Sequence, residues 1–180
     1  MRQFVIFLSF LMMLLHDSAN QIQGAKSRTD MAEAAYTSKA IYLGNEAILV
    51  EHKSRKILFD PFFQNSFNTY QLFPQSIRQS LFKGGPPYHN IDAIFISHAH
   101  ADHFAAIDVV RFLTTFPGTK VIAPGQAIDQ INALSKTGQL SKNLIAIDLA
   151  YQDPPLPLSL PEITIDAVGI THAGWPRRAL

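Results

Sequence analysis

The sequence predicts an α/β domain in which helices flank a mixed sheet. Three observations predict this class. Strand-like segments come first along the chain and then alternate with helix-like segments, which is the order that an α/β fold produces. Hydrophobic residues make up 47% of the 180 residues and charged residues 16%, which is enough apolar material for one core. A histidine cluster directly follows a short apolar segment, and α/β sheets carry their sites at the carboxyl ends of strands.

Residues 1–25 have the pattern of a secretory signal peptide. Arg2 supplies a positive charge, and residues 4–15 form an uninterrupted apolar run. The run is too short to cross a membrane, because a transmembrane helix needs about 20 apolar residues. We therefore predict a periplasmic or secreted protein without a stable membrane span. An uncleaved anchor or a buried amino-terminal helix is the alternative interpretation.

A linker over residues 26–39 is predicted to lead into a domain over residues 40–180. Within the domain, β-branched and aromatic segments predict strands, and apolar residues at helical spacing predict helices. The predicted strands cover residues 41–43, 47–51, 56–60, 91–97, 120–123, 143–147 and 163–170. The predicted helices cover residues 75–82, 105–115 and 126–134, and the second buries a stripe of Ile107, Val110, Leu113 and Phe116. Residues 153–161 are proline-rich and are expected to form an extended connection.

Composition limits the kinds of site and partner. The chain has no cysteine, so disulfides, thiolate metal ligands and a cysteine nucleophile are excluded. The net charge is +1, from 15 basic and 14 acidic residues that do not form blocks, so nucleic acid is not a favoured partner. Any metal must be held by His, Asp or Glu.

The histidine cluster has the spacing of a metal site. Its sequence is His98-x-His100-x-Asp102-His103. In an extended or tightly turning segment, His98 and His100 point to the same side and can bind one metal. Asp102 and His103 follow at a turn into a helix and face a second, neighbouring metal. This nitrogen and oxygen ligand set favours zinc, with manganese or iron as alternatives.

Through this motif and its flanking residues the chain resembles the metallo-β-lactamase-fold metal-dependent hydrolases. The flanks are Phe95-Ile96-Ser97 before the motif and His103-Phe104 within and after it. The chain is most similar to a lactonase-like and phosphodiesterase-like branch of that superfamily. The resemblance implies the αβ/βα sandwich fold, with this chain as its amino-terminal portion and the carboxyl-terminal half missing.

The resemblance also implies a division of ligands between two metals. His98, His100 and His172 would bind the first metal, and Asp102 and His103 the second. Two zinc ions are thus expected in a complete domain. A structural histidine is the alternative interpretation for His172.

Two carboxylates receive further roles. The resemblance implies that Asp60 supports the metal loop by hydrogen bonding, while an ordinary strand-end aspartate is the alternative. Asp102 is the predicted catalytic residue, since it would steer the attacking water or accept its proton.

These features predict an exported hydrolase that uses metal-activated water on an ester, lactone or phosphodiester of a small molecule. The alternative is a non-catalytic metal-binding remnant or assembly protein of the same fold. An RNA-processing nuclease is disfavoured by the signal peptide and the balanced charge. Only residues 173–180 follow His172, so we expect weak second-metal occupancy and little activity from this chain alone, unless an oligomer or partner completes it.

The other candidate residues have weaker signals. His16, His52 and His89 have no partners at metal spacing and are predicted to be structural or solvent-exposed. Trp175 is predicted to line the pocket mouth, with a packing role as the alternative. Residues 61–90 hold seven aromatic residues and are predicted to be a long functional loop that recognises an apolar part of the substrate, with core packing as the alternative. These residues are Phe62, Phe63, Phe67, Tyr70, Phe73, Phe82 and Tyr88.

Overall fold

The computed structural model of the chain describes residues 3–7, 38–69, 71–135 and 138–170, with backbone only for residues 3–7. Predictions on His16, Tyr70, His172 and Trp175, and on most of the signal peptide and linker, lie outside these residues. The strands are β1 (Gln3–Phe7), β2 (Lys39–Gly44), β3 (Ala47–His52), β4 (Arg55–Phe59), β5 (Ala93–Phe95), β6 (Lys120–Ala123), β7 (Leu144–Ala146), β8 (Leu156–Leu160) and β9 (Ile163–Ile170). The helices are α1 (Gln75–Lys83), α2 (Ala106–Thr115) and α3 (Gly125–Leu134), with a 3₁₀ turn at Ser141–Asn143.

The larger sheet has six strands in the order β2-β3-β4-β5-β6-β7. Strands β2, β3 and β4 form an antiparallel meander, whose two turns use Asn45 and Lys53 in left-handed conformations. Strands β4 to β7 are parallel, and a helix connects each consecutive pair of them. The predicted mixed sheet with flanking helices is therefore confirmed.

A second sheet has the order β1-β9-β8, and both of its pairings are antiparallel. The proline-rich segment that we predicted as an extended connection contains β8. Pro157 is accommodated there because β8 is at the edge of this sheet, where a missing amide donor breaks no ladder. Strand β1 lies in the apolar run that we predicted as a signal peptide.

The six-stranded sheet has apolar residues on both faces. On β5, Ile94 belongs to the core beneath the helices, whereas Ala93 and Phe95 belong to a second core that includes Ile165 of β9. The layers are therefore helices, six-stranded sheet and three-stranded sheet. Within the described ranges, no helix is long and apolar enough to cross a membrane.

The predicted stripe on α2 was partly wrong. Ile107 is 55% exposed, while Val109 and Phe112 are buried together with Leu113. The helix is turned so that Asp108, only 3% exposed, reaches Arg78 of α1 at 2.6 Å. The buried face of α2 thus combines Val109, Phe112 and Leu113 with an aspartate that pairs with the partly exposed Arg78.

The predicted aromatic recognition loop is mainly part of the core, which corrects our first interpretation of it. Phe62, Phe63, Phe82 and Tyr88 are buried, and the Phe62 ring lies 5.5 Å from that of Phe82. Phe67 is 56% exposed. Most of these side chains are therefore not available to a substrate.

Candidate metal centre

The predicted metal residues lie in the loop that connects β5 to α2, hereafter the metal loop (residues 97–104). This loop leaves the carboxyl end of β5, beside the end of β4, where Asp60 follows Phe59. Asp60 adopts a left-handed conformation (φ 40°), which aspartate tolerates better than most residues. Its amide donates to the Phe95 carbonyl at 2.9 Å, so the two strand ends are joined where the loop begins.

The buried Asp60 carboxylate organises the start of the metal loop. Oδ1 accepts from the Ser97 amide at 2.7 Å, and Oδ2 accepts from Ser97 Oγ at 2.5 Å and from His103 Nδ1 at 2.8 Å. These hydrogen bonds hold the metal loop to the end of β4, two residues after β5 ends at Phe95. The contacts are those that our prediction for Asp60 requires, while its role toward a metal stays a prediction.

The same network fixes the tautomers of two histidines. Because a carboxylate only accepts, His103 carries a proton on Nδ1. Ser97 Oγ gives its one proton to Asp60, so it accepts from His98 Nδ1 at 2.9 Å. In both rings Nε2 is then the nitrogen that we expect to offer a lone pair to a metal.

Three of the five predicted ligands converge. One ligand atom each from His98, His100 and Asp102 lies within 4.8 Å of the other two. His98 is buried, and the other two are half-buried at the loop surface. Two imidazoles and a carboxylate are donors suited to zinc, so the residues present fit a divalent cation.

His103 adjoins this cluster rather than joining it. Its Nε2 atom lies 3.9 Å from Asp102 Oδ2, and its ring centre lies 3.9 Å from that of His98. Asp102 thus faces both the His98 and His100 pair and His103. The resemblance assigned Asp102 to the second metal only, whereas the structure also groups it with the first two histidines.

The surroundings of His103 favour its charged form. Burial alone lowers the pKa of this imidazole, but the hydrogen bond and the charge of Asp60, and then the charges of Asp102 and Glu46, outweigh that effect. The pKa of His103 is therefore raised above its usual 6.5. A metal at this position must displace that proton.

Sequence reasoning missed the contribution of the β2–β3 turn. Asn45 Nδ2 donates to the Asp102 carbonyl at 2.7 Å, across 57 residues of sequence, and Glu46 acts on His103 by its charge. Ser97 was noted only as a flank of the motif. The Gly44-Asn45 pair predicted a turn, but no local pattern indicated which residues that turn would contact.

Two of the three histidines predicted to be structural or solvent-exposed, His52 and His89, lie in the described part of the chain and outside the cluster. His52 Nδ1 is 2.6 Å from Ser38 Oγ, and His89 Nε2 is 3.2 Å from Lys56 Nζ. His172 follows β9 but lies outside the described residues, so its assignment to the first metal stays a prediction.

Layered sheets with a histidine loop at a strand end define an α/β protein with a candidate metal centre, and comparisons with known proteins give its family. The Beta-lactamase superfamily domain matches residues 55–179. The chain therefore belongs to the beta-lactamase superfamily, which confirms the resemblance and its fold.

Two curated relatives match shorter stretches. The UPF0173 protein YddR of Bacillus subtilis (strain 168) is 34% identical over 68 residues, covering 33% of this chain and 26% of that protein. A UPF0173 metal-dependent hydrolase of Aeropyrum pernix is 30% identical over 92 residues, covering 51% of this chain and 32% of that protein. The chain thus matches about a quarter to a third of the length of these relatives.

Proposed function

We propose that this protein is a metal-dependent hydrolase that acts on an ester, lactone or phosphodiester bond of a small molecule. The observation that carries the proposal is the convergence of His98, His100 and Asp102 within 4.8 Å in a beta-lactamase superfamily domain. The name of the Aeropyrum pernix relative, a metal-dependent hydrolase, supports the same reaction class.

The residues present have complementary roles in such a reaction. His98 and His100 would hold a divalent cation, with zinc favoured over manganese or iron, as neutral imidazoles, and Ser97 keeps the His98 ring in the required tautomer. Such a cation would lower the pKa of a bound water and polarise the oxygen of the scissile group. Asp102 faces both sides of the cluster, so it can orient the attacking water and accept its proton.

The test compares histidines inside and outside the cluster. We expect His98→Ala and His100→Ala to lose bound zinc and hydrolysis together, because each removes one of three converging donors. His52→Ala is the matched control, since its ring bonds to Ser38 and lies outside the cluster. The measurements are metal content by mass spectrometry and turnover of an ester, lactone, phosphodiester and β-lactam panel.

Unchanged zinc content in His98→Ala and His100→Ala would overturn the proposed metal centre. Little turnover is expected from these 180 residues alone, so the panel is run on the full-length protein. Zinc bound by that protein without turnover of any panel substrate would instead favour a non-catalytic metal-binding or assembly protein. The chain matches 26% and 32% of the length of its two relatives, so the activity of the whole protein stays a proposal.

Export to the periplasm or medium is part of the proposal and is supported by the apolar run over residues 4–15. Strand β1 lies within the predicted leader, yet Gln3–Phe7 pairs along β9 in the second sheet. Cleavage after residue 25 would remove this strand from the mature protein. Amino-terminal sequencing of protein recovered outside the cytoplasm decides between a cleaved leader and a retained strand.

A further inference from the structure

The β2–β3 turn makes a hydrogen bond to the backbone of the metal loop. The Asn45 carboxamide donates through Nδ2 to the Asp102 carbonyl at 2.7 Å. This peptide unit links Asp102 to His103, whose side chains lie 3.9 Å apart. The turn therefore holds the backbone at the point from which two candidate ligands diverge.

The backbone of the turn explains why an asparagine can occupy this position. Gly44 (φ 137°) and Asn45 (φ 44°) both have positive φ, and the β2–β3 register shifts between Tyr42 and Gly44. Glycine and asparagine tolerate the left-handed region better than most residues. Conformation alone would accept glycine at position 45, but only a polar side chain brings a hydrogen-bond donor to Asp102.

The rest of the metal loop is held by its own backbone and by a second neighbour. His103 N and Phe104 N donate to the His100 carbonyl at 3.0 and 2.8 Å, closing a turn around Asp102. On its other side, Asn65 N approaches the Ala101 carbonyl at 3.4 Å. The Asp102–His103 peptide is thus held on both sides, through its N–H by the His100 carbonyl and through its carbonyl by the short bond from Asn45, which is its contact with the β2–β3 turn.

We propose that Asn45 is a positioning residue of the metal centre, which keeps the Asp102 carboxylate and the His103 imidazole converged by holding the peptide between them. The inference rests on the proposed function, because it assumes that these side chains bind a metal. Outer contacts that orient ligands typically change metal affinity about 10-fold to 100-fold when removed. Asn45 is expected to act in this way without touching the metal.

The experiment is a zinc titration of the full 180-residue chain against a competing chelator. Asn45→Gly keeps the left-handed backbone and removes the donor, so we expect zinc affinity to fall about 10-fold. Asn68→Gly is the matched control. Asn68 has the same residue type and a similar φ of 54°, it is exposed, and its side chain makes no hydrogen bond within the described part of the chain.

A second variant separates positioning from charge. Asn45→Asp has the same shape and tolerates the same backbone, but its carboxylate cannot donate and faces the Asp102 carbonyl. Added negative charge near a cation site would by itself raise zinc affinity. We expect a fall instead, because the misplaced peptide outweighs the added charge. Urea denaturation of each metal-free variant shows whether the fold is retained.

The outcomes are distinguishable. A fall in zinc affinity in both Asn45 variants, with Asn68→Gly unchanged and all variants folded, supports the inference. Wild-type affinity in Asn45→Gly would overturn it while leaving the proposed function intact. An unmodified chain that binds no zinc would overturn the proposed function and this inference with it.

Discussion

The two ends of the six-stranded sheet both bury polar side chains, but they use them differently. At the amino end of the parallel strands, Lys56, Thr119 and Asn143 are at most 5% exposed, and each donates to a backbone carbonyl of a neighbouring loop. At the carboxyl end, Asp60 and His98 are similarly buried, but their partners lie in the metal loop and include its side chains.

This difference separates a structural network from a candidate site. A donor satisfied by a backbone carbonyl closes a loop and offers nothing to a ligand, whereas imidazoles fixed at one nitrogen present the other. The presence of a cavity does not distinguish the candidate site from the structural network. A cavity of about 370 Å³ lies at the amino end, among Tyr88, Asn90 and Phe116, and no predicted metal ligand lines it. The chemical kind of the partners therefore identifies the site better than burial or volume.

The largest expected effect is a loss of stability when a carboxylate replaces the amide of Asn143 at the amino end of the sheet. Asn143 Nδ2 donates to the carbonyls of Pro117 and Thr119 at 2.8 and 2.7 Å. Asn143→Asp places a carboxylate oxygen against those two carbonyls, so we expect the free energy of unfolding to fall by roughly 3 kcal/mol. Urea denaturation measures this loss, and zinc affinity should stay unchanged.

Asn68→Asp serves as the control for that variant, because it makes the same chemical change at an exposed position. A stability loss that is equal in the two variants would contradict a structural role for Asn143. A selective loss of zinc binding in Asn143→Asp would show that the two ends of the sheet are not functionally separate.

At the carboxyl end, replacing Asp60 by asparagine should lower zinc affinity more than it lowers the free energy of unfolding. In Asp60→Asn, the amide that replaces Oδ2 donates toward His103 Nδ1, which then must accept and carry its proton on Nε2. We expect zinc affinity to fall 10-fold to 100-fold, about 1.4 to 2.7 kcal/mol, because the ligand tautomer is wrong. Competition with a chelator measures it.

The urea midpoint of Asp60→Asn shows whether the variant retains the fold. Wild-type zinc affinity in a folded Asp60→Asn protein would show that Asp60 is an ordinary strand-end aspartate, the alternative that the sequence left open.

The sequence predicted most strands and helices because their apolar patterns are local. Residues 120–123 and 163–170 were predicted with the bounds that the structure has. The errors arose where tertiary contacts decide. Asp108 of α2 pairs with Arg78 of α1, and β8 pairs with β9 despite Pro157. Neither contact has a signature within a short window.

The candidate site was predictable to the extent that it lies in one segment. His98, His100 and Asp102 are close in sequence, so their spacing alone indicated that they converge. Asn45 and Ser97 gave no such signal, because their roles depend on hydrogen bonds formed only when β2, β4 and β5 are assembled. The ligand groups could thus be predicted, whereas the contacts that orient them could not.

The smallest effect expected at the carboxyl end is a pH dependence of the metal-free protein. Asp60, with Asp102 and Glu46, raises the pKa of His103 above 6.5 despite its burial. Protonated His103 therefore stabilises the fold fully below the unfolded-state pKa, and this contribution is lost as pH rises through the folded-state pKa. We expect the urea midpoint, measured with a chelator present, to fall over that window.

His103→Gln isolates this contribution, because the variant leaves every other histidine in place. The variant should lose the decline in stability, and a parallel decline in both proteins would contradict the assignment. Zinc affinity of the unmodified chain should change in the opposite direction, rising over the same window, since the metal competes with the proton on His103. Opposite slopes for stability and metal affinity are expected at the carboxyl end, because there the group that binds the proton is also a candidate metal ligand.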